Sequence, residues 1–159
     1  MPQTSLEMVE EFKAFIHYAE ELNELEEELW NRPIAAGKWT VKDILSHIML
    51  WDKYYYEEGI EKIAHDQPLT VKHLDFDRFN AGAREYAETQ SRQSIVEQLL
   101  HYRMKIIHVL SRLREEDFIK EYADGDGNKF TVRDYLQGFV PHDMHHKKQI
   151  DDFIRSAAM

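Results

Sequence analysis

Apolar residues recur every three or four positions along four long stretches of the chain. This spacing is typical of amphipathic helices and predicts an all-α fold. The first helix is predicted from about Leu6 to Trp30, although Glu26 occupies one of its apolar positions. The third is predicted from Ser91 to Leu113. Four such helices can bury their apolar faces against one another in a bundle.

The second and fourth helices begin with the same signal. Thr40 and Thr131 are each followed three residues later by an aspartate. The threonine side chain can cap the free amides of the first turn, and the aspartate side chain can accept from the threonine's own amide. The second helix is predicted to end near Ala64, and the fourth to continue toward the end of the chain. Pro141 should kink or loosen the fourth helix, because proline cannot donate to the preceding turn.

The segment between the second and third helices lacks long periodicity. Residues 65–90 contain a mixed polar run and one short predicted helix from Asp75 to Tyr86. A connection of this length can return along a bundle, which allows helices two and three to run parallel. We therefore predict a four-helix bundle with a long crossover between helices 2 and 3 that contains a short extra helix. Residues 1–159 are predicted to form a single domain.

One acidic loop has an alternating pattern that is typical of calcium ligands. Asp124, Asp126 and Asn128 alternate as the first ligands of an EF-hand do. The sixth position is Lys129 instead of glycine, and the twelfth is Tyr135 instead of glutamate. A turn is therefore the preferred interpretation.

Charge and composition limit the kinds of partner and substrate that the protein is expected to bind. A formal charge of -10 and a pI near 5.3 disfavour binding to nucleic acid. The chain has neither an apolar run long enough to cross a membrane nor a basic and apolar leader, so a cytoplasmic protein is expected. It contains no cysteine, so any thiol chemistry must use a thiol that arrives as a substrate.

Three histidines are candidate ligands for a metal ion. His142 and His146 lie four residues apart, which places both on one face of the fourth helix. His47 lies at the border of the apolar face of the second helix. Three neutral imidazoles would hold a divalent ion and leave a position open for water or substrate. The alternative is that His142 and His146 are core-edge histidines that donate to carbonyl or carboxylate groups.

The remaining histidines have no predicted role. His145 is predicted to face outward, because the helical wheel places only its neighbour His146 within the apolar arc. The others lie in loops or on polar helix faces and are interpreted as solvated side chains: His17, His65, His73, His101 and His108.

Two polar residues near the histidines are candidate catalytic residues. Gln149 follows His146 by about one turn and could orient a ligand or a water. Asp52 falls inside an apolar stripe, where a carboxylate needs a partner or a wet cavity. It could support a ligand or act as a base.

Three segments of the chain resemble the DinB/YfiT-like superfamily. They are Trp39 to His47, Asp75 to Asn80, and His142 to Ile150, which carries a His-x-x-x-His-x-x-Gln-Ile motif. The likeness extends over nearly the whole chain. It implies a four-helix bundle, often a homodimer, in which His47, His142 and His146 are the ligands of a divalent ion such as zinc, nickel or manganese.

The resemblance also implies an activity. Members of the superfamily include thiol-dependent transferases or isomerases that use low-molecular-weight thiols, and others are described as metal-dependent hydrolases. We therefore expect a metal-dependent enzyme that acts on a small molecule, with zinc or nickel favoured and manganese or iron as further candidates. The alternatives are a non-catalytic bundle that binds a metal or small ligand, and an interaction bundle without an ion. Trp30, Trp51 and the tyrosines at 54–56 are candidate contributors to a dimer surface or, alternatively, to the core and pocket walls.

Overall fold

A computed structural model describes residues 4–158, which form a helical bundle. The helices are α1 (Ser5–Leu22), α2 (Glu27–Asn31), α3 (Val41–Tyr55), α4 (Glu61–Ala64), α5 (Phe76–Thr89), α6 (Arg92–Leu110), α7 (Glu115–Phe118) and α8 (Val132–Ala157). The π-helical segment Tyr56–Ile60 joins α3 to α4, and the strands β1 (Tyr122–Ala123) and β2 (Lys129–Phe130) pair antiparallel. The predicted all-α four-helix bundle is confirmed, with α1, α3, α6 and α8 as its long helices. In the described part of the chain, no helix combines the length and apolar character needed to cross a membrane.

The first helix is shorter than predicted. It ends at Leu22, and a separate short helix contains Trp30. The Trp30 indole N–H donates to the carbonyl of Leu22 at 2.7 Å, so the chain folds back and satisfies a helix-end acceptor. The Trp30 side chain is completely buried within one of the apolar clusters of the core. Trp51 is also buried, so the suggestion that these two tryptophans contribute to a dimer surface is wrong.

The predicted start signals act as caps. Thr40 Oγ1 accepts from the Asp43 amide at 3.0 Å, and the Asp43 carboxylate accepts from the Thr40 amide at 3.1 Å. Thr131 caps α8 in the same way by accepting from the Asp134 amide. Helix α8 continues through Pro141 without a break. The π-helical segment between α3 and α4 was not predicted, because its extra residue per turn leaves no mark in a short apolar pattern.

The crossover contains α5, which extends slightly further than the predicted Asp75 to Tyr86. Asp75 caps it by accepting from the Arg78 amide. Ser46 Oγ on α3 donates to the carbonyl of Ala83 at 2.8 Å, which fixes α5 against α3. The third helix ends at Leu110 rather than Leu113, because the amides of Arg112 and Leu113 bond to carbonyls three residues back.

The turn predicted in the acidic loop is present. Asp124 Oδ1 accepts from the amides of Asp126 and Asn128 at 2.9 Å each, which is the geometry of an Asx turn. The short β1–β2 pairing on either side of this turn was not predicted.

The core consists of two apolar clusters that meet at a buried charge. Phe12 belongs to one cluster and Phe15 to the other. The Arg103 guanidinium carbon lies 3.6 Å from the centroid of the Phe12 ring and 5.3 Å from that of Phe15. A polar layer therefore crosses the bundle between the two clusters.

Candidate metal centre

The three predicted histidines converge on one point between α3 and α8. His47 Nε2 lies 3.0 Å from His142 Nε2, and His146 Nε2 lies 3.3 Å from the same nitrogen. One ring nitrogen from each histidine lies within 4.8 Å of the others. His47 and His146 are buried, and His142 is partly exposed.

The donor set fits a single divalent ion. Three imidazole nitrogens around one tetrahedral zinc ion would lie roughly 3.3 Å apart, since each Zn–N bond is about 2.0–2.1 Å. His146 Nδ1 lies 2.8 Å from Gln149 Oε1. That oxygen can only accept, so the proton of His146 lies on Nδ1 and its Nε2 presents a lone pair. The Nδ1 atoms of His47 and His142 are buried and have no hydrogen-bond partner among residues 4–158.

The electrostatics of the cluster favour neutral imidazoles. Burial, followed by the charges of His142 and His146, lowers the pKa of His47 to about 3, although the nearby Asn80 side chain opposes this shift. Burial, followed by the charges of His146 and His145, lowers the pKa of His142 to about 4. Burial also lowers the pKa of His146, although the Gln149 hydrogen bond opposes this. The three rings are therefore in the form that binds metals.

A cavity of about 370 Å³ opens beside the histidine cluster. Two of the imidazoles, from His47 and His142, form part of its wall. The rest is mostly aromatic and is supplied by Trp51, Tyr55, Phe76 and Phe139, together with Asn80 and Gly138. A small molecule in this cavity would therefore contact the same imidazoles that converge on the candidate ion.

The partner that the sequence required for Asp52 is Arg103. Arg103 Nε donates to Asp52 Oδ2 at 2.7 Å, and Nη2 donates to Asp52 Oδ1 at 3.1 Å. Both side chains are 1% exposed. Burial raises the pKa of Asp52 to about 6, and the charge and hydrogen bonds of Arg103 oppose this rise. Asp52 does not line the cavity, so its role as a base stays a prediction.

Sequence reasoning missed two members of this buried network, Arg103 and Asp143. Arg103 lies four residues after Leu99 and three before Ile106, so it occupies a position on the apolar stripe of α6. Asp143 lies three residues after Val140 on the inward face of α8. An isolated charge on an apolar stripe was the signal that could have identified each of them.

The histidines without a predicted role lie at the surface. His145 is exposed beside the buried His146, as the helical wheel predicted. His17 is exposed and contacts Glu21 at 2.9 Å. The others are also exposed: His65, His73, His101 and His108.

The fold and the site together define a class: a four-helix bundle that carries a cluster of three histidines between two of its long helices. The sequence matches the DinB superfamily over residues 12–150, and the chain belongs to this superfamily. A comparison with curated proteins finds no match.

The structure is similar to that of YfiT from Bacillus subtilis. The TM-score is 0.71 at 18% sequence identity, and the alignment covers 97% of this chain and 86% of the YfiT chain. YfiT is described as a probable metal-dependent hydrolase with an unusual four-helix bundle topology. At this level of identity the similarity establishes a common fold.

Proposed function

We propose that this protein is a metal-dependent enzyme that binds one divalent ion through His47, His142 and His146. The observation that carries the proposal is the convergence of three Nε2 atoms. That of His142 lies 3.0 Å from that of His47 and 3.3 Å from that of His146, although the two helices are about a hundred positions apart in the sequence. Family membership and the description of YfiT support it. Zinc or nickel is favoured, with manganese and iron as further candidates, because imidazole suits several divalent metals.

A bound divalent ion would lower the pKa of a coordinated water or thiol and so supply a nucleophile near neutral pH. The chain's own residues prepare the site for this chemistry. Gln149 holds the His146 ring in one tautomer, and the buried surroundings keep the imidazoles neutral. The reaction is proposed to be hydrolysis or transfer to a low-molecular-weight thiol. The thiol must be a substrate because the chain has no cysteine.

A non-catalytic bundle that binds a metal or small ligand is the second candidate. One observation favours it: among the described residues, those that line the cavity include no carboxylate that could act as a general base. The two candidates differ in turnover. Metal-loaded protein should convert simple esters, amides or pairs of an electrophile and a thiol if it is an enzyme, and should bind without converting them if it is not.

The test of the metal site compares two adjacent histidines. His146→Ala removes a buried nitrogen donor, and His145→Ala removes an exposed one on the same helix. Elemental analysis of the purified variants should find bound metal in the wild type and His145→Ala but little in His146→Ala. Equal metal content in the two variants would rule out the proposed ligand set.

We also propose that residues 1–159 form a single domain, and that the protein assembles as a homodimer in the cytoplasm. Trp30 and Trp51 are buried and cannot form the dimer surface, whereas Tyr54 and Tyr56 are partly exposed. Light scattering coupled to size-exclusion chromatography gives the mass in solution. A mass of one chain would reject the dimer and leave the metal site unaffected.

A further inference from the structure

The cavity beside the histidines has a wall of packed aromatic rings. The Trp51 ring stacks on Phe79, with centroids 3.9 Å apart and planes inclined by 25°. Tyr55 meets the edge of Phe139 at 5.0 Å. Phe79 packs against Trp51 from outside the cavity, and the rings of Trp51, Tyr55 and Phe139 together give the cavity a mostly aromatic wall. A wall of this kind complements a planar apolar group.

The polar groups of the cavity are few and lie together. No residue that lines it carries a fixed charge, among the residues that the structure describes. His47 and His142 form one end. Asn80 Oδ1 is buried and makes no hydrogen bond of good geometry within residues 4–158, and its side chain lies close enough to His47 to oppose the lowering of that residue's pKa, so Asn80 belongs to the same polar end. The cavity therefore combines an apolar wall with a single polar end.

Gly138 keeps this space open. It lies on α8, one turn before His142, and a Cβ atom placed on it would meet no atom within 4 Å. Gly138 also lines a second cavity of about 320 Å³, which shares Tyr55 and Phe139 with the first. A larger side chain at position 138 would therefore reduce the open space beside the histidines and would not displace packed atoms.

We propose that this cavity binds a planar, uncharged apolar group of the substrate and directs the substrate's polar group toward the histidine cluster. The proposal rests on the proposed function, because it adds a substrate class to the same site. The ligand is a small aromatic or similarly flat molecule with a polar head. Gly138 determines specificity by leaving room for the planar group.

Two probes with the same metal-binding head test this proposal. Benzohydroxamate carries a phenyl ring, and acetohydroxamate carries only a methyl group in its place. In calorimetric titration of zinc-loaded protein, benzohydroxamate should bind at least about tenfold more tightly than acetohydroxamate. The reason is that its phenyl ring is transferred from water to the apolar wall of the cavity. In Gly138→Leu this preference should fall to about twofold or less, while acetohydroxamate binds as before.

Gly82→Leu is the matched control. Gly82 is also a helical, exposed glycine, and a Cβ atom on it would meet nothing within 4 Å, but it lines a different cavity. Both substitutions replace a helix-destabilising residue, so both variants should fold. Gly82→Leu should keep the preference for benzohydroxamate. Gly138→Ala is a smaller change at the tested position and should reduce the preference in part.

Equal binding of the two probes to the wild type, or a preference that survives in Gly138→Leu, would overturn the proposal. Zinc content, measured on the same samples, reports separately on the proposed function. Metal-free protein provides a second measurement that does not depend on the ion. There, benzohydroxamate should shift the NMR signal of the Trp51 indole N–H and acetohydroxamate should not, and the absence of that difference would also count against the cavity.

Discussion

Arg103 donates two hydrogen bonds to Asp143, the residue that follows the candidate ligand His142. Nη1 lies 2.7 Å from Asp143 Oδ2, and Nη2 lies 3.2 Å from Oδ1. The same guanidinium binds Asp52 and donates to the carbonyl of Phe12 at 2.9 Å. One arginine on α6 therefore ties together α1, α3 and α8, and these include both helices that carry the histidines.

Replacing Arg103 with methionine should strongly destabilise the protein. The substitution leaves two buried carboxylates without a cation, and breaking a buried pair in this way typically costs about 3–5 kcal/mol. Urea denaturation measures the change in the free energy of unfolding. The control is Arg155→Met, because Arg155 is exposed and its solvent-screened ion pair with Asp152 should contribute little to stability. Similar losses in the two variants would contradict the structural role of Arg103.

Asp52→Asn should separate a structural role from a catalytic one. The asparagine keeps the shape but removes the charge that binds Arg103, so the free energy of unfolding should fall by about 1–3 kcal/mol. Metal content should stay the same, since Asp52 contacts Arg103 and does not line the cavity. Activity measured at a temperature where the variant is folded decides the question. Complete loss of turnover with unchanged stability would favour the role of a base.

Gln149 should tune the affinity for the metal through His146. Its Oε1 accepts from His146 Nδ1, and loss of such a partner typically weakens metal binding by about 10–100-fold. Gln149→Leu should therefore show this loss in a competition titration with a chromogenic chelator. Gln149→Glu keeps an acceptor and should retain the affinity.

Gln137→Leu is the control for general effects of the substitution. Gln137 is exposed on the same helix, α8, and its replacement should leave the metal affinity unchanged. If Gln149→Leu and Gln137→Leu bind metal equally well, the Gln149 hydrogen bond does not position the ligand.

The positions of the long helices, apart from some of their ends, could be predicted from the sequence because helical periodicity is a local property. The starts at Thr40 and Thr131 were predicted correctly for the same reason, since a cap and its partner are three residues apart. The end of α1 could not be predicted in this way. It depends on Trp30 folding back onto the carbonyl of Leu22, a contact that exists only once the chain has turned.

The candidate site shows the same division. His142 and His146 lie on one helix, so their spacing was enough to place them on one face. No local pattern shows that the helix of His47 lies beside the helix of His142 and His146. The position of His47 at the border of its apolar face was the available signal. The pairing of Arg103 with Asp52 connects positions 51 residues apart, and no local pattern indicates which buried cation meets which buried anion.

Two tyrosines offer a test of buried polar groups. Tyr135 is buried, and its hydroxyl has no hydrogen-bond partner within residues 4–158. Tyr18 is also buried, but its hydroxyl donates to Asp151 Oδ1 at 2.7 Å. Tyr135→Phe should raise the free energy of unfolding by up to about 1–3 kcal/mol, because it removes an unsatisfied group. Tyr18→Phe should lower the free energy of unfolding by about 1 kcal/mol, because it removes a hydrogen bond. A loss of stability in both variants would contradict the conclusion that only the Tyr135 hydroxyl of the two is unsatisfied.

Alkaline pH should reveal the contribution of the buried Tyr18 hydroxyl to stability. Burial, followed by the Asp151 hydrogen bond, raises the pKa of Tyr18 well above its usual value near 10. The unfolded chain therefore loses this proton first, and the contribution of Tyr18 is complete below about pH 10 and is lost as the pH rises above it. Tyr18→Phe should show a smaller loss of stability than the wild type when denaturation is repeated at increasing pH above 10.

Removing the metal should lower the melting temperature if the histidine cluster binds an ion in the folded state. A ligand that binds only the folded state stabilises it by about 2.7 kcal/mol when its free concentration is 100 times the Kd. For a chain of this size that corresponds to a shift of roughly 5–10 °C. Calorimetry of zinc-loaded protein before and after chelator treatment measures the shift, and added zinc should restore the original value. His146→Ala should melt at the same temperature under both conditions, because it lacks a ligand, whereas His145→Ala should behave as the wild type. An unchanged melting temperature in the wild type would mean that the three imidazoles pack together without holding an ion, and the metal-dependent function would have to be abandoned.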